Sequence, residues 1–255
     1  IDSVNYATEG DWAVRVREGN FGGWDWLSQA DGLGRSLELI NPALGNNNGQ
    51  NWGPSAANNG TPGAANSIAS GNIAPLIKNV KHRPAVPTSS DSIRISCEIE
   101  DETPASASAT LFWRVSSASP PPFTPTPMVA NGARFEALLP PHSNLTVIEF
   151  YVQSSDGVRT RTWPAPTNEG QNANAQFQVD DEVPPALQPI HRLVLNVPEN
   201  TSFTGSGGSD RQYNVTLISN LGSGDSVRYG CHMRVRGASS RSHNPRPMRI
   251  AIPND

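Results

Sequence analysis

The sequence predicts an all-β protein made of three consecutive small β domains. Three observations carry that prediction. Pro (23) and Gly (22) are abundant and charged residues are only 16% of the 255, which suits strands joined by many turns rather than helices. Several runs alternate apolar and polar residues with a period of two, the pattern of a half-buried strand. These runs recur at short spacing with turn residues between them, as in β-sandwiches.

The first domain is expected over residues 1–67. "IDSVNYATEGDWAVRVREG" alternates weakly through Val4, Tyr6, Trp12, Val14 and Val16, and "GWDWL" and "RSLELIN" read as two further short strands. After Asn41 the chain becomes rich in Asn, Gly and Pro. Asn and Gly tolerate left-handed backbone, and Asn bonds its own main chain, so 41–66 reads as an ordered turn-rich loop anchored by Trp52.

The second domain is expected over 68–182. "SIRISCEIE" sets Ile93, Ile95, Cys97 and Ile99 on one face, and "ATLFWRV" sets Leu111, Trp113 and Val115 on one face. Cys97 and Trp113 are both expected in the core. "ARFEALLP", "TVIEFYVQSSDG" and "AQFQV" complete a sandwich. "SSASPPPFTPTP" (116–127) reads as a stiff extended segment or a carrier of O-linked sugar.

The third domain is expected over 183–255, from "HRLVLNV", "DRQYNVTLIS", "SVRYGCHMRVRG" and "PMRIAIP". "PENTSFTGSGGSD" reads as a loop. The long strand is expected to place Val227, Tyr229, Cys231, Met233 and Val235 on one face and Arg228, His232, Arg234 and Arg236 on the other. An antiparallel pair of 227–236 with 248–252 is expected, joined by an irregular loop. Four strands of this length leave an apolar face in need of a cover.

Net charge is −4 and no long basic run occurs, so neither nucleic acid nor an anionic membrane is an expected partner. No stretch reaches the roughly 18 apolar residues of a membrane span. The two cysteines, Cys97 and Cys231, fall in different domains. They read as buried free thiols or as an interdomain bridge.

No phosphate loop, nucleophile elbow or metal-spaced histidine set is present, so no catalytic residue and no cofactor is expected. Two acidic clusters, Glu100 with Asp101 and Asp180 with Asp181, are candidates for Ca²⁺ or are simply solvated sandwich ends. Arg236, Arg241, Arg246 and Arg249, with Arg234, are candidates for phosphate or anion contact. Equally they form a solvated face paired with nearby acids. Asn144, Asn200 and Asn214, with Asn59, stand in glycosylation sequons.

Three resemblances bear on function. Strand spacing and the Cys97–Trp113 pair resemble an immunoglobulin-like or fibronectin-III-like domain, although that pattern's second cysteine is missing from "EFYVQSSDG". "WDWLSQADGLGRSLELINPALGNNNGQNWGPSAANNGTPGAANS" resembles the closing half of a lamin-tail domain. "VRYGCHMRVRGASSRSHNPRPMRIAIPND" resembles the N-terminal sheet of spore-coat-protein-H-type kinase-like domains through Arg236, Gly237, Ser239, Ser240, Arg241, Arg249 and Ile250. In that family a lysine often leads the final strand. Here the place reads "RPMRI". The family's catalytic acids would lie beyond Asp255, which implies a chain cut within domains at both ends. The three types occur in this order in large bacterial surface proteins.

The expected function is therefore a structural or adhesive module, extracellular or on a bacterial cell surface. It would self-associate into a filament through exposed strand edges, the 1–67 end of one copy meeting the 187–255 end of the next. The alternatives are a carbohydrate-binding module using Trp24, Trp26 or Trp163, and the non-catalytic front of a secreted kinase.

Overall fold

The computed structural model describes residues 3–182, 190–205, 210–220, 224–237 and 239–253. The fold is all-β with several antiparallel sheets. In chain order the strands are β1 (Val14–Arg17), β2 (Trp24–Leu27), β3 (Leu37–Leu39), β4 (Trp52–Pro54), β5 (Leu76–Arg83) and β6 (Ile93–Glu100). Next come β7 (Ser108–Val115), β8 (Thr124–Pro127), β9 (Val129–Asn131), β10 (Arg134–Leu139), β11 (Val147–Ser155), β12 (Thr160–Trp163) and β13 (Ala175–Gln178). Then follow β14 (Ile190–Val194), helix α1 (Val197–Gly205), β15 (Tyr213–Asn220), β16 (Asp225–Val235) and β17 (Met248–Ala251).

In the first segment β1 pairs with β2 and β3 with β4. Residues 3–7, expected to alternate as a strand, form none, and Tyr6 is exposed. The Asn-rich loop is ordered as expected. Buried Asn51 accepts from the Asn41 amide at 2.9 Å and donates to the Asn41 and Gly45 carbonyls. Trp52 donates to the Asn46 carbonyl at 2.7 Å and meets Trp12 at 6.2 Å.

The middle segment is a sandwich. One sheet runs β5-β6-β10-β9. The other runs β12-β11-β7-β8, with β13 beside β12 on β11. Ile93, Ile95, Cys97, Leu111, Ile148, Phe150 and Phe177 fill one core between them. Trp113 packs on that core's rim rather than inside it. Its indole donates to Thr126 Oγ1 at 3.1 Å and meets His142 edge-on. β8 carries Pro125 and Pro127 at a sheet edge, where a missing N–H breaks no ladder.

In the third segment the order is β14-β15-β16-β17, and His232–Val235 pairs with Met248–Ala251 as expected. Residues 239–242 form a short 3₁₀ turn in an otherwise irregular loop.

The expected common face of Val227, Tyr229, Cys231, Met233 and Val235 is corrected. Val215 pairs with Cys231 but Leu217 with Arg228, so a bulge at Tyr229–Gly230 inserts a residue. Gly230 has φ +65°, the left-handed conformation such a bulge uses. One extra residue reverses every later side chain. Val227 therefore packs toward the sandwich with Ala85 and Val194, and Tyr229 packs on the sandwich core. Cys231 and Met233 face the other way with Tyr213 and Val215.

The expected loop after Val197 is a helix instead. Asn196 Oδ1 caps it by accepting from the Glu199 amide at 2.8 Å, and Pro198 stands in its first turn. Phe203 packs edge-on against Tyr213 at 5.5 Å. The apolar face that needed a cover thus has one: Tyr213, Val215, Cys231 and Met233 are fully buried. Residues 206–209 of the expected loop lie outside the described residues.

Both cysteines are free and buried in separate clusters. Burial pushes the Cys97 thiol up to about 12.

Candidate functional site

The three segments meet around one buried arginine. Arg15 on β1 is 4% exposed. Its guanidinium donates to Asn214 Oδ1 on β15 at 2.5 Å and to the Gly230 carbonyl at the β16 bulge. Asn214 donates onward to the Asn174 carbonyl beside β13 at 2.9 Å. Gln176 of β13 donates to the Val194 and Asn214 carbonyls. The Arg15 charge also lies 4.5 Å from the Trp26 ring, and Trp26 stacks on His232 at 5.5 Å.

Gly23 makes this docking possible. The Trp24 amide donates to the Gln212 carbonyl at 3.1 Å, and a Cβ on Gly23 would fall 2.0 Å from that carbonyl oxygen.

A second tie joins β5 to β16. Tyr229 OH lies 2.5 Å from His82 Nδ1 and accepts from the His82 amide at 3.0 Å. His82 Nε2 lies 2.8 Å from the Ala85 carbonyl. A carbonyl only accepts, so Nε2 carries the ring proton and Nδ1 accepts from the tyrosine. Burial pushes the imidazole down to about 4 and raises the phenol.

Two cavities flank the docked hairpin. A groove of about 730 Å³ is lined by Trp12, Trp52, Val14, Leu27 and Arg161. A polar cavity of about 620 Å³ lies on the side of His232 and Trp26. His232 Nδ1 lies 2.9 Å from Gln212 Oε1, so its proton points there and Nε2 keeps a lone pair. Among the described residues Nε2 and Trp26 Nε1 are buried without partners. Burial, then the Arg15 charge, pushes His232 down to about 3.

The acidic candidates lie at opposite ends of β6, roughly 25 Å apart at about 3.3 Å per residue. Asp181 accepts from Ser89 before the strand, and Glu100 ends it, paired with Lys78 and accepting from the Gly45 amide. Asp101 accepts from the Thr103 amide, and burial raises its carboxyl. Asp180 pairs with Arg192. Among the described residues no three His, Cys, Asp or Glu side chains are grouped to hold a metal.

The arginine candidates are not brought to one point. Arg234 and Arg241 share Asp210, at 2.8 and 2.6 Å. Arg246 donates to the Phe203 carbonyl near the end of α1. Arg249 lines the polar cavity and Arg236 is exposed. Of the sequons, Asn144 and Asn200 are exposed. Asn214 is corrected: it is 3% exposed and held on both sides of its amide, so it offers no acceptor nitrogen.

Trp24 is buried under Arg17, and Trp163 packs edge-on against Tyr229. A half-buried aromatic cluster lies on the outer sandwich face. Phe112 and Tyr151 stack at 4.8 Å with an interplanar angle of 2°, and Phe123 meets Tyr151 at 4.9 Å. Their positions as a cross-strand pair on the outer sandwich face follow from period two. The tie between Arg15 and Asn214 had no such signal, because nothing local relates positions 199 residues apart. No protein-family model and no curated protein matches the chain.

Proposed function

We propose that the chain is a structural module of an extracellular or bacterial cell-surface assembly, and that the three β segments act in it as one stiff body. The observation that carries this reading is the buried cross-segment tie of Arg15, Asn214 and the Gly230 carbonyl, reinforced by His82 and Tyr229. Buried hydrogen bonds between segments are strengthened by the low local dielectric and favour one relative arrangement. The resemblances to lamin-tail, immunoglobulin-like and spore-coat-protein-H-type domains point the same way.

The route to self-association is revised in detail. The first and third segments already meet within one chain, and the apolar face of the third is covered. Among the sheet edges, the outer edge of β17 carries exposed apolar side chains, Met248 and Ile250 at 42 and 37%, with Ile252 just beyond it at 44%. An edge of this kind takes an added strand. Light scattering across a concentration series tests the reading. Self-association that Ile250→Lys abolishes supports it, and a monodisperse monomer at high concentration overturns it.

A carbohydrate-binding reading is favoured by one observation, the parallel-stacked, half-buried Phe112–Tyr151 pair flanked by Phe123, since the outward edge and face of such a pair can pack against a sugar ring. A glycan screen with Tyr151→Ala tests it.

A further inference from the structure

The groove beside the docked hairpin joins apolar walls to one cation that the chain engages on one edge only. Val14 of β1 pairs across the hairpin with Leu27 of β2. By the period of two they share, with Val16, the face opposite Arg15 and Trp26, and Val14 and Leu27 are 47 and 42% exposed. All three line the groove, as do Leu37 of β3 and the Trp12 and Trp52 rings. The Trp52 indole N–H is already engaged by the Asn46 carbonyl. The volume of about 730 Å³ falls within the roughly 300–1,000 Å³ of small-molecule sites.

Arg161 of β12 lines the same groove. Its Nη1 donates to the Gln50 carbonyl at 2.6 Å and to Gln50 Oε1 at 3.4 Å. Nε and Nη2 form the other edge of the guanidinium, the fork that grips a carboxylate with two parallel hydrogen bonds. Among the described residues this edge donates to nothing. Unlike the Nε atoms of Arg15, Arg114 and Arg211, it is not sealed from solvent. Arg161 also makes no ion pair among the described residues. Burial pushes the guanidinium down, and Asp11 and Glu102 oppose that only from beyond ion-pair distance. The Asp11 carboxylate accepts instead from Gln50 Nε2 at 2.7 Å.

A ligand that fits must cover aliphatic and indole surface and bring one planar, anionic acceptor to the open edge of Arg161. A sugar would strand hydroxyls against apolar walls. An alcohol leaves the charge uncompensated, and an amine is repelled by it.

We propose that this groove binds an aliphatic monocarboxylate, its carboxylate held by Nε and Nη2 of Arg161 and its chain laid along Val14, Leu27 and Trp52. The site is distinct from the β17 edge and from the Phe112–Tyr151 face, so its failure leaves both readings standing.

Calorimetric titration of the full chain with octanoate at neutral pH tests it, alongside acetate (no chain), 1-octanol (no charge) and octylamine (opposite charge). The expected result is saturable octanoate binding, at least tenfold tighter than each of the other three, that weakens with added salt. Arg161→Gln should lower octanoate binding at least tenfold and leave 1-octanol binding unchanged, which a collapsed groove would not do. Leu27→Asp, at an exposed position of β2, should weaken octanoate binding at least tenfold with the Arg161 edge intact. It decides the matter, with the comparison of head groups, even if Arg161→Gln fails to fold. Absence of saturable octanoate binding, equal binding of any of the other three, or octanoate binding unaffected by either variant overturns the proposal. So does light scattering in which Leu27→Asp abolishes self-association, because a second copy then occupies the groove.

Discussion

The hydroxyl of Tyr229 sits between the main-chain N–H and the Nδ1 of His82, serving as acceptor to one and donor to the other. The two residues are 147 positions apart and bring the sandwich and the bulged β16 together, with the His82 ring fully buried and the Tyr229 ring packed against the sandwich core. Phe177 stacks on the same imidazole at 4.7 Å. Tyr229→Phe keeps the packing and removes both hydrogen bonds. Unpaired buried groups cost about 1–3 kcal/mol, and urea denaturation should show a loss in that range. A midpoint unchanged within error would mean that water or a rearranged ring replaces the hydroxyl.

Acid should weaken the fold before carboxylates titrate. His82 and His232 are neutral when folded, held down to about 4 and about 3 from 6.5 by burial, and burial lowers His142 as well. The unfolded chain takes up these protons near pH 6.5. The stabilisation is thus complete above 6.5 and is lost as pH falls toward 4. Each imidazole contributes a slope of up to about 1.4 kcal/mol per pH unit. Urea midpoints at pH 8, 6 and 5 check this. A flat profile from 8 to 5 contradicts it, and His82→Gln should flatten part of the slope.

Trp113 separates pattern from depth. Period two predicts its face correctly, but face alone says nothing of how far a strand extends past its neighbours. Phe150→Ala, at 0% exposure, should cost about 3–5 kcal/mol as a full core deletion. Trp113→Ala should cost less, about 1–3 kcal/mol, because the rim ring already meets solvent. Equal losses would place Trp113 in the core after all.

The sandwich was legible because the apolar residues of β6 fall on one face and Phe135, Ala137 and Leu139 of β10 and Ile148, Phe150 and Val152 of β11 do the same, although Ser96 and Glu149 on the other faces are also buried. β5 was not, since Asn79 at φ 52° inserts a bulge between Lys78 and Lys81 that breaks the alternation. The bulge at Gly230 hid the reversal in β16 in the same way. α1 was missed because Thr, Ser, Asn and Gly suit loops and its Phe203 contact with Tyr213 is tertiary, although its Asn196–Glu199 cap and Pro198 are local signals that the sequence offered. The junction was least legible. Arg15, Trp26, Asn214 and His232 show no motif, and their partnership exists only once three sheets have formed.

Arg15 should hold the hairpin rather than the whole fold. Arg15→Met retains the stem and removes the charge and both donors, leaving Asn214 Oδ1 and the Gly230 carbonyl unpaired. Limited proteolysis should cut the β1–β2 region at least tenfold faster, while the near-ultraviolet signal of the sandwich core persists. If cleavage is unchanged, the hairpin is held by the Trp24–Gln212 main-chain contact instead.

That contact gives its own test in Gly23. Gly23 and Gly32 both have positive φ, +86° and +72°, so alanine at either suffers left-handed strain of about 1–2 kcal/mol. Around Gly32 nothing lies within 4 Å, whereas a Cβ on Gly23 would strike the Gln212 carbonyl oxygen. The difference between the two alanine variants therefore isolates the close approach from the strain. Gly32→Ala should lose only the strain term and keep the proteolytic pattern of the parent chain. Gly23→Ala should lose more and expose the hairpin as Arg15→Met does. Equal losses with equal protection would mean that β2 can lift from Gln212 at no cost, and the three segments would then not be welded at this point.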